Sequence, residues 1–198
     1  GGGMDGGAAG AIPSVQIGHL DGDTAISHSS ASAAMQCCRT VIEAAEMVMN
    51  PSTNVRNAFC VVRPPGHHAG PTGPVCPGGL DSDADINTTG NGGGSSHGFC
   101  LINNVAVGAS YAMHVGSRKY GVKRVAVIDF DVHHGNGTEA LFGTVVPSTR
   151  TYRYSTPYGE GTTTTHVWKP WLNENDADNL FFASVHGYGQ RGRGGWYY

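Results

Sequence analysis

The run Arg124-Val125-Ala126-Val127-Ile128-Asp129-Phe130-Asp131 constrains this chain more than any other feature, because its apolar stretch ends abruptly in two acids. A short, continuous apolar run reads as a strand buried on both faces, the pattern of a parallel sheet. Two further runs share it. Phe59-Cys60-Val61-Val62 breaks at Arg63-Pro64-Pro65-Gly66, and Leu180-Phe181-Phe182-Ala183-Ser184-Val185 gives way to His186. Helical patterns alternate with these runs. From Ser30 to Asn50, Ala34, Cys37, Cys38, Val41, Ile42, Ala45, Val48 and Met49 form one apolar stripe; Ser27, Ser29 and Ser30 can cap its start, and Asn50-Pro51 stops it. Asn103 to Val115 reads as a second helix, with small residues for close packing and Gly116 as its end. Strands alternating with helices give an α/β fold built on a parallel sheet. Ligands of such sheets sit at the carboxyl ends of the strands. Here all three runs lead into histidine-bearing loops: His67-His68, His133-His134 and His186.

The remaining chain is polar and rich in glycine, with 31 Gly among 198 residues. Residues 1–13 read as a disordered Gly/Ala-rich tail, and 14–198 as one domain with loop insertions at about 70–97 and 143–178. A net charge of −3 argues against non-specific nucleic-acid binding, which needs a basic surplus. The segment Gln190-Arg191-Gly192-Arg193-Gly194-Gly195 is read as a solvated loop. No apolar run approaches the roughly 20 residues that span a bilayer, and the first ten residues lack the features of a secretory signal. Five cysteines without a CxxC pair fit small buried hydrophobes in a reducing compartment better than a disulfide framework.

The chemistry concentrates in Asp129-Phe130-Asp131-Val132-His133-His134-Gly135-Asn136-Gly137. Residues two apart on a strand face the same way, so Asp129, Asp131 and His133 can project together. A single such residue would be satisfied by loop amides. Two Asp and two His within six residues favour a metal or catalysis, and a His/carboxylate set with open positions suits catalytic zinc. Gly135 and Gly137 are expected to let the backbone turn tightly. His67-His68, aimed by the preceding prolines, suits proton transfer near neutral pH.

Taken in order, RPPGHHA (63–69), GFCLINNVAVGA (98–109) and DFDVHHGNGTEALF (129–142) resemble the zinc-dependent histone deacetylase family, whose wider group includes acetylpolyamine amidohydrolases. DGDTAISHSSASAAMQ (21–36) and LFFASVHGYG (180–189) are similar to its early helix and a later strand, and Asn136 resembles the class II pattern. The resemblance implies an arginase/deacetylase-like fold hydrolysing acetyl-lysine in histones or other proteins. It makes Asp131 and His133 zinc ligands and His67 and His68 the tandem catalytic histidines, backed by Asp129 and Asn136 respectively. It places Gly98 and Phe99 on the acyl-lysine tunnel, to which an aromatic from Trp196–Tyr198 could add. It puts a structural potassium ion on Ser184 and on backbone carbonyls of Asp129, Asp131, His133 and Val185.

The family's third zinc ligand, an Asp, and its oxyanion-stabilising Tyr belong to later segments with no counterpart here. Asp176 and Asp178 do not map onto that ligand. The expectation is therefore a fold truncated on its C-terminal side and a chain inactive by itself. Acetylated histones or other acetyl-lysine proteins are the expected partners, with corepressor proteins beside them, no direct nucleic acid and no membrane, in nucleus or cytoplasm. The rival readings are an acetylpolyamine or small-molecule amidohydrolase and an inactive interaction module.

Overall fold

The structure is a computed structural model that describes residues 16–74, 97–166 and 168–186. The tail at 1–13, residues 75–96 of the first insertion, Cys76, the Arg/Gly segment at 190–195 and Trp196–Tyr198 lie outside the described residues. The chain opens with an antiparallel pair, β1 (Ile17–His19) and β2 (Ala25–Ser27), followed by helix α1 (Ser30–Met49). The expected stripe on α1 turns inward: Ala34, Cys37 and Cys38 are buried, whereas Met35, Gln36, Arg39 and Glu43 face solvent. Ser29 takes the cap position without a side-chain cap bond; instead Ser30 Oγ accepts the Ser27 N–H at 2.9 Å.

A short antiparallel pair, β3 (Ala69–Gly70) and β4 (Gly73–Pro74), precedes α2 (Asn104–Tyr111). A single π-helical turn at Ala112–Gly116 carries this helix straight into α3 (Ser117–Tyr120). Gly116 is therefore not the stop that sequence implied. It is buried where a Cβ would lie 2.5 Å from Met49 Sδ, and the left-handed Gly121 (φ +75°) ends the helix. Gly108 serves α1 in the same way, since a Cβ there would meet Val41 Cγ1 at 2.5 Å.

Strand β5 (Val125–Asp129) is followed by α4 (Asn136–Gly143), the hairpin β6 (Thr149–Thr156) and β7 (Gly159–His166), the short α5 (Asp176–Asn179) and β8 (Leu180–Ser184). β5 and β8 pair in parallel, Val125 opposite Leu180 and Asp129 opposite Ser184. This pair is the expected parallel sheet, but among the described residues only one of its faces is covered. Val127 and Phe182 turn inward, where Phe182 meets Phe142 of α4 at 5.8 Å between ring centroids. Ala126, Ile128 and Phe181 point outward, Ile128 being 62% exposed. The run 59–62 departs furthest from expectation. It forms no ladder among the described residues, and Phe59 and Val61 are 92% and 87% exposed. An apolar run is buried only where a neighbouring strand or helix exists to cover it.

The second insertion is not a plain loop. Residues 149–166 form an eight-rung hairpin around Pro157-Tyr158, carried by β-branched threonines and by Tyr154, whose ring lies over Gly161. Its base is closed by Lys169 N–H donating to the Thr144 carbonyl at 2.8 Å and by Trp168 Nε1 donating to the Val145 carbonyl at 2.7 Å. Asp176, fully buried, accepts the N–H groups of Trp171, Leu172 and Asn173 at 2.6–3.1 Å.

Candidate active site

The carboxyl ends of β5 and β8, the start of α4, and the loop at 63–69 meet in one place. The loop begins with a cis Arg63–Pro64 peptide and ends where Thr138 N–H, in the first turn of α4, donates to the His67 carbonyl at 3.0 Å. Asn103 closes the other side. Its Oδ1 caps α2 at the Ala106 N–H, while its Nδ2 donates to the Ala69 carbonyl and to Thr138 Oγ1. Asn103 and Thr138 are 5% and 1% exposed, so a buried polar network fixes the histidine loop to two helix starts. Sequence reasoning missed both. Asn103 is legible only as an N-cap, and nothing local announces its second bond.

Within that frame the two histidines are partnered differently. His67 Nδ1 lies 2.8 Å from Asp129 Oδ2, and a carboxylate can only accept, so Nδ1 carries the proton. Burial opposes the charge on Asp129, but the bonds from His67 and from the Asp131 N–H outweigh it and hold the carboxyl below its ordinary value. His68 Nδ1 lies 2.7 Å from Asn136 Oδ1. That same oxygen accepts the Gly137 N–H at 3.0 Å, which identifies it as the acceptor. His68 therefore also donates from Nδ1, leaving Nε2 with its lone pair. Burial pushes the His68 imidazole below its ordinary pKa, against the opposing bond to Asn136. The rings of His67 and His68 are 4.2 Å apart, and that of His133 is 6.1 Å from His68.

Asp131 and His133 stand at the open side of this group. Asp131 Oδ1 lies 3.1 Å from His133 Nδ1, and both side chains are about half exposed. This contact is a hydrogen bond; two donors on tetrahedral zinc would stand about 3.3 Å apart, so the two side chains are near enough to be turned onto one ion. Among the described residues no group of three or more His, Cys, Asp or Glu side chains converges to hold a metal. Asp129 does not join Asp131 and His133 as strand alternation suggested. The strand ends at Asp129, and its carboxylate is engaged by His67. Asp176 is taken up by its own loop amides.

The glycines hold these groups close for a different reason than expected. The backbone turns tightly at Gly135, where the Asn136 N–H donates to the His134 carbonyl at 2.8 Å, but its φ of −73° is open to any residue. A Cβ there would lie 2.2 Å from Asp129 Oδ2, and one on Gly137 would lie 2.4 Å from the His68 carbonyl carbon. Close approach excludes a side chain at both. Gly98 needs both properties: its φ is +50°, and a Cβ would sit 2.2 Å from His68 Cδ2. Phe99 follows at φ +65°, half exposed, with the Arg63 guanidinium 5.9 Å from its ring centroid. A cleft of about 300 Å³ between Val62–Pro65 and β5 reaches His67, Asp129 and Asp131. On the β8 side, Ser184 Oγ bonds His186 Nδ1 at 2.9 Å, and the exposed Val185 donates its N–H to the Asp129 carbonyl. His186 stacks on His134, which is paired to Glu139.

A histone deacetylase domain profile matches residues 6–192. Type-2 histone deacetylase 2 of Dictyostelium discoideum is 44% identical over 119 residues, covering 60% of this chain and 6% of that protein. Histone deacetylase 6 of Caenorhabditis elegans is 37% identical over 102 residues, covering 52% and 8%. Among solved structures, the HDA15 HD domain matches 64% of this chain and 27% of its own at 32% identity, with a TM-score of 0.44. The chain thus spans a small part of the length of these relatives. With the domain profile covering nearly its whole length and the paired histidines at its centre, the chain belongs to the histone deacetylase family.

Proposed function

We propose that this domain hydrolyses acetyl-lysine in histones or other proteins, with zinc held by Asp131 and His133 and by a third ligand from outside the described residues. The observation that carries the reading is the asymmetric pairing of His67 with a carboxylate and His68 with an amide, beside two donors near enough to be turned onto one ion. Bound zinc polarises an acyl carbonyl and brings the pKa of its water to about 7.

The histidines supply the proton transfers. His68, neutral and with Nε2 free, accepts the proton of the attacking water. His67, its Nδ1–H held by the Asp129 carboxylate, is fixed in orientation beside it. The histidine pair then returns a proton to the leaving lysine amine. Gly98 and Phe99 wall the substrate side, where only a narrow apolar passage would sheathe the lysine methylenes. The carbonyls around Asp129 with Ser184 and Val185 are the proposed seat of potassium.

The test, in a version of the domain that includes the third ligand, is zinc content together with hydrolysis of an acetyl-lysine peptide and of an acetylpolyamine. Asp131→Ala and His133→Ala should each lose zinc. Unchanged zinc in both would remove them as ligands, and turnover of the polyamine alone would transfer the activity to the small-molecule branch.

A further inference from the structure

We propose that Asp21, acting with Thr24, is a positioning residue that presses the 97–99 turn against the ring of His68. The proposal rests on the deacetylase reading and deepens it, because that turn lies directly against His68, the proposed proton acceptor. Asp21 lies in the loop between β1 and β2, 76 residues before His97. Its two oxygens have different tasks. Oδ1 accepts the N–H groups of Asp23 and Thr24, at 3.0 and 2.7 Å, and so folds its own loop. Oδ2 reaches across and accepts the His97 N–H at 2.6 Å. Thr24, 1% exposed, follows with a second link: its Oγ1 accepts the Phe99 N–H at 3.1 Å and donates to Asp23 Oδ1.

These are bonds to the turn that sets Gly98 against the His68 imidazole, in contact so close that a Cβ has no room. The turn needs outside support. Gly98 and Phe99 both have positive φ, which for phenylalanine is strained and persists only where surroundings impose it. His97 Nδ1 is buried without a hydrogen-bond partner among the described residues. The carboxyl of Asp21 is held well below the usual carboxylate range: burial works against its charge, and the His97 N–H and the contacts with Asp23 and Thr24 overcome it. Asp21 therefore stays ionised across the range in which a deacetylase would act.

Cys100 reports on the turn without any need for turnover. It is fully buried directly after Phe99, its N–H donates to the His97 carbonyl at 2.7 Å, and burial raises its thiol pKa to about 11. The experiment is native iodoacetamide labelling of the whole chain, read at each cysteine by mass spectrometry, with buried Cys37 and Cys38 of α1 as internal controls. Asp21→Asn is the selective variant, because an amide keeps the Oδ1 acceptor but turns an N–H toward the His97 N–H. Labelling of Cys100 should rise about 10- to 100-fold, the consequence of losing one charge-assisted bond, while Cys37 and Cys38 stay protected. Thr24→Val should act in the same direction, and Thr24→Ser, which keeps the hydroxyl, should match the wild type. An unchanged Cys100 in Asp21→Asn and Thr24→Val overturns the proposal, as does a parallel rise at all three cysteines in both variants. In the acetyl-lysine assay Asp21→Asn should lose turnover at unchanged zinc content. A domain that carries the third zinc ligand and still never hydrolyses acetyl-lysine would count against the deacetylase reading, and labelling of the chain would still decide the brace.

Discussion

At the scale of single residues, two adjacent histidines differ through what stands behind each. A carboxylate stands behind His67 and an amide behind His68, where deep burial favours the neutral ring. His68→Ala should therefore keep zinc, measured by metal analysis, while turnover falls by roughly 10²–10⁴-fold, the usual contribution of a positioned acid–base group. Loss of zinc in that variant would make His68 a ligand and reverse the roles. Gly98→Ala should be nearly as damaging without touching the chemistry directly. A methyl group 2.2 Å from His68 Cδ2 must displace the ring, and alanine at φ +50° adds about 1–2 kcal/mol of backbone strain. Thermal unfolding and turnover should both fall; a wild-type rate in Gly98→Ala would mean the turn does not set the position of His68.

At the scale of elements, α1, α2 and α3 are tied together by Glu46. Its carboxylate accepts from Tyr111 at 2.8 Å and also from Lys119 and Tyr120. The bond from Lys119, then those from the two tyrosines, lower its pKa to about 2. A depressed carboxyl pKa contributes stability that is complete above the unfolded value, near 4.5, and fades as pH falls toward 2. Glu46→Gln should therefore lower the urea midpoint at pH 7, and the gap from wild type should close near pH 2. A gap that does not depend on pH would assign the loss to shape. Elements also show where sequence was legible. His67, His68, Asp129, Asp131, His133 and Asn136 lie in two short segments, and local order is enough to read them. The stripe on α1 was legible for the same reason, since one helix carries the whole period. Gly116 was misread because its task is contact with Met49, distant in sequence. The hairpin at 149–166 escaped because both its faces are polar, so no alternation marks it. The run 59–62 misled because apolar content reports a wish for cover and cannot say whether a neighbour supplies it.

For the molecule as a whole, the β5–β8 pair has one covered face among the described residues. Ile128, Phe130 and Phe181 are exposed on or beside it, as are Phe59 and Val61 nearby. Exposed apolar strands whose outer edges have no partner among the described residues invite pairing between chains. The 198-residue chain by itself should bind a hydrophobic dye and self-associate with rising concentration in sedimentation experiments. A dye-negative, strictly monomeric chain would show that this face is covered in solution. The hairpin stands apart from all of this. Thr144 and Lys169 meet across its base, so the chain leaves and re-enters the fold at almost one point, and Tyr158 at its tip is fully exposed. A segment anchored in this way is a ready splice point for engineering. A fluorescent reporter or affinity handle could be inserted between Pro157 and Tyr158, or the exposed arm from Thr149 to His166 exchanged for a short turn, without altering the histidine pair.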